Sequence, residues 1–247
     1  MISKARLKEL SLYKQQKYCD DDHVFVVEGV KMAEEALSAN VTIRSVCGTS
    51  AWVEAHRQAL QGVECHEVNG EELDRLSGLR APNEVWMLLD RLAVAPPADE
   101  GLTLVLDHLQ DPGNMGTIIR TADWFGIRRI VCSPDSVSCY NPKVVQATMG
   151  GIFRTSIEVA DLCQWLAAYR HPVYGALLDG SNVYATPLQL PSALVIGNES
   201  RGISQAVQKF VSQRIAIPNY GGTCESLNAS VATAILCAAF AEGISRL

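Results

Sequence analysis

Short, β-branched apolar runs alternate along this chain with longer segments in which apolar residues recur every three or four positions, the pattern of strands alternating with helices. Residues 23–27, 43–47, 65–68 and 85–89 predict strands, with helices over 30–39, 52–60 and 71–76 between them. Ahead of these, Leu7, Leu10 and Tyr13 recur at helical spacing among basic residues, which predicts a helix with an apolar seam and a basic face. The alternation resumes at 102–106, 130–132, 173–178, 193–196 and 214–217 for strands, and at 114–125, 142–149 and 161–169 for helices. The run Leu102-Thr103-Leu104-Val105-Leu106 is apolar on both faces, as in a strand buried within a parallel sheet. The fold class is therefore α/β, in two layered domains. Residues 1–92 and 102–247 form them, and a connector over 93–101 carries Pro96-Pro97 followed by acidic residues.

Residues 217–236 organise the second domain. A strand ends at Ile217-Pro218, a Gly221-Gly222 turn follows, and small polar residues open a helix that is apolar almost all round and so predicts burial. Ser226, Asn228 and Ser230 sit where a helix start leaves backbone N–H groups free; a plain cap and part of a small-molecule site are both open readings. Further upstream, Asn114 reads as the cap of a helix that Gly126 stops. On that helix Met115, Ile118, Ala122 and Phe125 share one face, and Gly116, Arg120 and Trp124 the other. Arg120 thus points away from its own helix's core, and alone it reads as a solvated surface arginine. The strand at 193–196 delivers Gly197-Asn198-Glu199 at its C-terminal end, where open α/β sheets place their ligands. Taken singly, Glu199 reads as a cap for the next helix.

Composition narrows the class. A chain of 247 residues with 48% hydrophobic content can bury a sizeable core. The charged N-terminus lacks the run of a signal peptide, and the apolar stretch at 231–241 falls short of the roughly 20 residues of a membrane span. A soluble cytoplasmic protein is expected. Eight cysteines without a C-x-x-C pair read as reduced thiols, and no metal is assigned. The net charge of -6 argues against coating nucleic acid through the overall field. Exposed charges are screened beyond about 10 Å, however, so a local patch can still hold phosphate. Lys4, Arg6, Lys8, Lys14 and Lys17, opposed by Glu9, make such a patch.

No G-x-G-x-x-G follows the first strand of either domain and no P-loop is present, which removes the usual phosphate cradles and with them a nucleotide-dependent oxidoreductase. Three strand-end stretches remain: Asn114-x-Gly116-x-x-x-Arg120, Gly197-Asn198-Glu199-x-x-Gly202, and Ile217-Pro218 leading to Ser226-Leu227-Asn228-x-Ser230. In this order and spacing, with Asp111-Pro112, Arg120-Thr121-Ala122 and Met149-Gly150, they resemble the SpoU (TrmH) branch of the SPOUT superfamily, S-adenosylmethionine-dependent RNA ribose 2'-O-methyltransferases. Phe25-Val26-Val27-Glu28-Gly29 and Ala81-Pro82 resemble that family's RNA-binding extension, itself similar to a class of ribosomal proteins.

The resemblance implies a C-terminal catalytic domain threaded into a trefoil knot, working as a homodimer, preceded by a small ribosomal-protein-like α/β domain that binds the RNA. It implies S-adenosyl-L-methionine held among Ile196, Gly197, Ile217, Pro218 and Leu227, and Asn114, Arg120, Glu199, Ser226 and Asn228 around the methyl and the ribose. The substrate it implies is structured RNA, ribosomal rather than transfer RNA because of the preceding domain; tRNA methylation and an RNA-binding protein without activity are the alternatives. The family's arginine is assigned the 2'-hydroxyl proton. A guanidinium stays protonated and has no acceptor to offer, so Arg120 is read here as a donor to phosphate or to the developing oxyanion, oriented by Glu199 and Asn114. The chain departs from the family pattern in Gln146, where a basic residue is frequent, in Thr148, and in a longer loop over 220–224.

Overall fold

The computed structural model describes residues 2–79, 84–95 and 100–245; Ala81-Pro82 and Pro96-Pro97 lie outside them. The chain forms two compact units, Met1–Ala93 with Tyr140–Phe153, and Val94–Cys139 with Arg154–Leu247.

In the first unit Ser3 caps α1 (Lys4–Leu10), and a 3-10 turn leads into α2 (Gln16–Asp21). The strands β1 (Val24–Glu28), β2 (Ile43–Gly48), β3 (Glu64–Glu67) and β4 (Val85–Asp90) form one sheet in the order β1-β4-β2-β3. Between them run α3 (Val30–Ser38), α4 (Ser50–Ala55) and α5 (Gly70–Leu76), the last opened by a capping box between Asn69 and Glu72. The helix expected over 52–60 stops at Ala55 and continues only as turns. Leu7, Leu10, Leu73, Leu76 and Trp86 bury into one core, so α1 is fastened by the seam its spacing predicts.

The second unit begins with β5 (Leu102–Leu106), α6 (Pro112–Trp124) and β6 (Arg129–Cys132). The chain then makes α7 (Pro142–Thr148), which packs on β1 and belongs to the first unit; residues 102–247 are therefore not one continuous body. Phe25 and Tyr140 meet with ring centroids 5.0 Å apart, and Gln146 Nε2 donates to the Glu28 carbonyl at 2.7 Å. Gln146 is thus spent on backbone, not poised for phosphate. Returning, the chain adds β7 (Ser156–Val159), α8 (Leu162–Ala168), β8 (Val173–Asn182), β9 (Ser192–Ile196), α9 (Gln205–Gln208), β10 (Gln213–Ala216) and α10 (Ala229–Ser245).

The six strands of this unit are all parallel, in the order β10-β8-β9-β5-β6-β7. From β5 the chain moves outward through β6 and β7, then crosses to the other side of β5. The loops leaving β5 and β9, adjacent strands reached from opposite directions, therefore share one edge, the switch point at which such sheets bind ligands. The helix at 229–245 is not buried all round: Leu236 and Phe240 are at 1% and 2% exposure while Val231 reaches 47%.

Candidate active site

The site starts at a helix end. Asp111, not Asn114, caps α6: its Oδ1 accepts the Asn114 N–H at 2.7 Å, and Pro112 takes the first helical position where no N–H is needed. Asn114 is thereby left one turn inside the helix, 6% exposed, with its side chain free for other work. A second cap fixes what that work is. Asn228 Oδ1 accepts the N–H groups of Ser230 at 2.9 Å and Val231 at 3.3 Å and the Ser230 hydroxyl at 2.7 Å, closing the first turn of α10. With its oxygen so committed, Asn228 turns Nδ2 outward and donates to Asn114 Oδ1 at 2.8 Å. Asn114 must then present its own Nδ2 to Glu199 Oε1, at 2.9 Å. One cap therefore sets the amide orientation of both asparagines and delivers a donor to the carboxylate. Asn228 caps its helix and, with the other end of the same amide, joins the polar chain.

Glu199 rides on a loop that glycine makes possible. A Cβ at Gly197 would lie 2.2 Å from the Gly202 carbonyl carbon and from the Ile203 nitrogen, so no larger residue fits. Asn198 and Gly202 exchange backbone hydrogen bonds at 3.0 and 2.9 Å across the turn. Two residues that the sequence motifs did not single out hold this loop to β5. Asp107, 1% exposed, accepts the Ser204 N–H on Oδ2 at 2.7 Å, and the His108 carbonyl accepts from Asn198 Nδ2 at 2.8 Å, His108 being left-handed at φ 57°. An acidic residue directly after a fully buried strand is the signal that could have found Asp107.

Ile196, Gly197, Ile217, Pro218 and Leu227 all line one cavity of about 950 Å³, and Glu199 and Ser226 line it as well. Ser226 is exposed and, among the described residues, has no hydrogen-bond partner. Arg120 is exposed on α6 and likewise has no partner among the described residues. Glu199 and Asn114 bond each other, not Arg120, so the orienting role expected of them is not made in this arrangement.

In the first unit a smaller groove of about 550 Å³ is lined by Lys4, Lys8, Lys14 and Arg75, with Leu7, Ser11 and Asp74. Lys4, Lys8 and Ser11 follow helical spacing, and Lys14 Nζ donates to the Asp74 carbonyl at 2.9 Å. Arg6 leaves the patch: its Nε donates to Glu64 Oε1 at 2.9 Å and its Nη1 pairs with Glu9 at 2.8 Å. The hydrogen bond from Arg6 holds the Glu64 carboxyl well below its ordinary value, at about 2. No helix among the described residues is long and apolar enough to cross a membrane.

Residues 101–238 match the SpoU rRNA Methylase family and residues 4–86 the MRM3-like substrate binding domain. Among similar proteins, the 23S rRNA (guanosine(2553)-2'-O)-methyltransferase RlmP of Bacillus subtilis is 27% identical over 239 residues, 94% of this chain and 94% of that protein. A TrmH-family protein of Porphyromonas gingivalis superposes with a TM-score of 0.86 at 39% identity, over 97% of this chain and 98% of that one. The AdoMet-bound rRNA methyltransferase of Sinorhizobium meliloti superposes with a TM-score of 0.87 at 26% identity, over 98% and 96%. With its parallel α/β sheet, its strand-end loops and a match that spans more than half its length, the chain belongs to the SpoU rRNA methylase family.

Proposed function

We propose that this protein transfers a methyl group from S-adenosyl-L-methionine to a ribose 2'-hydroxyl of ribosomal RNA, in the cytoplasm and as a homodimer. The observation that carries the reading is the hydrogen-bonded chain Asn228–Asn114–Glu199, which ends on a carboxylate in the wall of the large cavity. That cavity suits the cofactor: Ile196, Ile217 and Leu227 offer apolar surface to an adenine, and the two loops around them offer backbone groups to its polar ends. When bound, the cofactor supplies a sulfonium methyl carbon that the 2'-oxygen attacks as the carbon–sulfur bond breaks.

The chain's own residues then have separate tasks. Asn114 holds Glu199 by one carboxylate oxygen, which leaves the other to accept a hydrogen bond from the 2'-hydroxyl, draw it into line and take its proton as the oxygen–methyl bond forms. Arg120, exposed and unpaired among the described residues, is available as a donor to an RNA phosphate or to the oxygen as it loses its proton. Ser226 offers a hydroxyl from the opposite loop. Residues 1–92 serve as the RNA-binding domain, with the groove at Lys4, Lys8 and Lys14 as its phosphate contact; a concentrated local charge is what a chain of net charge -6 needs to hold RNA.

The dimer reading rests on exposed apolar surface. Val231 on α10 is 47% exposed and Trp124 at the end of α6 is 84% exposed, and these two helices pack together. The knot reading rests on strand order, since the chain passes from β9 over β8 to the β10 edge and α10 then returns to α6. Light scattering of the Val231→Glu variant tests the first, a dimeric variant counting against it. Pulling the denatured chain by its ends tests the second, a fully extended contour length counting against it.

For the activity itself, the protein is incubated with methyl-labelled S-adenosylmethionine and unmodified transcripts of ribosomal and transfer RNA. Label at one ribose of ribosomal RNA is expected. Label in transfer RNA alone moves the substrate, and label in neither leaves a binding protein.

A further inference from the structure

In the loop between Pro218 and Ser226, whose backbone is offered to the cofactor, the side chains are assigned no part in the transfer itself. The loop's first turn is closed upon itself. Asn219 Oδ1 accepts the N–H groups of Gly221 at 2.9 Å and Gly222 at 2.8 Å, and its Nδ2 donates to the Gly222 carbonyl at 3.1 Å. Gly221 sits at φ +97°, a conformation that side chains rarely adopt. The turn therefore displays its remaining residue, Tyr220, at its tip. The residue is 88% exposed, and among the described residues its hydroxyl has no partner. Tyr220 nevertheless lines the same cavity as Glu199 and Ser226, and so does Leu178, which is 79% exposed.

The depth of the cavity separates two kinds of wall. Ile196, Ile215 and Leu236, at 3%, 0% and 1% exposure, form an inner apolar surface of the sort that buries a cofactor. A residue left almost wholly in solvent belongs to the rim. At about 950 Å³ the cavity lies at the upper end of the roughly 300–1,000 Å³ that enclose a single small ligand, which leaves room for a second group beside the first. Methylation of a ribose hydroxyl brings a nucleotide to that rim. Its base, once out of the helical stack, is without its π-neighbours and is held in RNA-recognising sites by aromatic side chains.

We propose that Tyr220 is the stacking platform for the base of the nucleotide being methylated, with Leu178 as an apolar flank. The inference rests on the methyltransferase reading above. A ring face is tolerant of base identity, so Tyr220 selects for an unstacked nucleotide rather than for one base.

The test compares Tyr220→Ala, Tyr220→Phe and wild type in methyl transfer to an unmodified large-subunit ribosomal RNA transcript, with S-adenosylmethionine binding followed by calorimetry. Tyr220→Ala is expected to raise KM for the RNA about tenfold, within what a base–aromatic stack contributes, with cofactor affinity unchanged. Tyr220→Phe keeps the ring face and is expected to restore the wild-type KM. An unaltered KM in Tyr220→Ala overturns the proposal. So does a parallel loss of cofactor affinity, which assigns the ring to the adenine, or a Tyr220→Phe as impaired as the alanine variant, which assigns the work to the hydroxyl. Failure of wild type to methylate the transcript is a separate result that overturns the reading beneath it.

Discussion

Asn228 Nδ2 donates to Asn114 Oδ1 at 2.8 Å, so the helix cap of α10 dictates which end of the Asn114 amide faces Glu199. Asn228→Asp keeps a capping oxygen but replaces the donor with a second acceptor. The Asn114 amide is then expected to turn over, setting its oxygen against the Glu199 carboxylate. Methyl transfer should fall by about 10- to 150-fold, the worth of a hydrogen bond to a charged group, while the urea midpoint moves little. Asn228→Ala should lose the cap as well, at a further cost of about 0.5–2 kcal/mol. Wild-type turnover in Asn228→Asp would separate the cap from the chemistry.

Arg120 has no partner to lose among the described residues, so Arg120→Ala should leave stability within about 0.5 kcal/mol of wild type. Cofactor affinity measured by calorimetry should also be unchanged. Turnover is expected to fall by about 10²–10³, as when a donor to a developing oxyanion is removed. Normal turnover would remove Arg120 from the reaction.

Replacing Lys4, Lys8 and Lys14 together by Gln should weaken RNA binding and flatten its salt dependence. The slope of log K against log salt should drop by about 0.7–0.9 for each phosphate that is no longer neutralised. Arg6→Gln is the control, because Arg6 is spent on Glu64 and Glu9 and should leave that slope alone. Equal slopes in wild type and the triple variant would place the RNA elsewhere.

Acid should release the Arg6–Glu64 pair in a defined window. Because the folded-state value of Glu64 is depressed by the Arg6 hydrogen bond, its contribution is complete above the unfolded value near 4.3 and is lost as pH falls through about 2. Glu64 is 38% exposed, and solvent screening should keep that contribution under about 1 kcal/mol. Urea midpoints of wild type and Glu64→Gln should differ at pH 7 and converge toward pH 2. A difference undiminished between pH 7 and pH 2 would assign it to packing.

Much of the architecture is legible in local pattern, and the exceptions have identifiable causes. The runs at 102–106 and 193–196 are apolar on both faces and form the adjacent central strands β5 and β9. β7 escapes the pattern because Ser156-Ile157-Glu158-Val159 is short and half polar. The helix cap falls at Asp111 rather than at Asn114 because Asp111-Pro112 is the stronger helix-start signature, a local signal that outranks the asparagine three positions on. Two features lie beyond local reading. Arg6 is neutralised by Glu64, 58 positions away, and α7 packs with β1 across more than a hundred positions. Such pairings arise from tertiary packing and leave no periodic trace.

The allegiance of α7 bears on how this protein can be divided. The chain passes between its two compact units at Ala93–Val94, at Cys139–Tyr140 and again at Phe153–Arg154. A fragment cut at the Pro96-Pro97 connector would strip Tyr140 and Gln146 from Phe25 and Glu28, baring a fully buried strand, and would leave the other fragment with an orphan helix. Exchange of RNA-reading halves between relatives, whether by recombination or at the bench, must therefore carry residues 140–153 along with residues 1–93, or rebuild the seam they share.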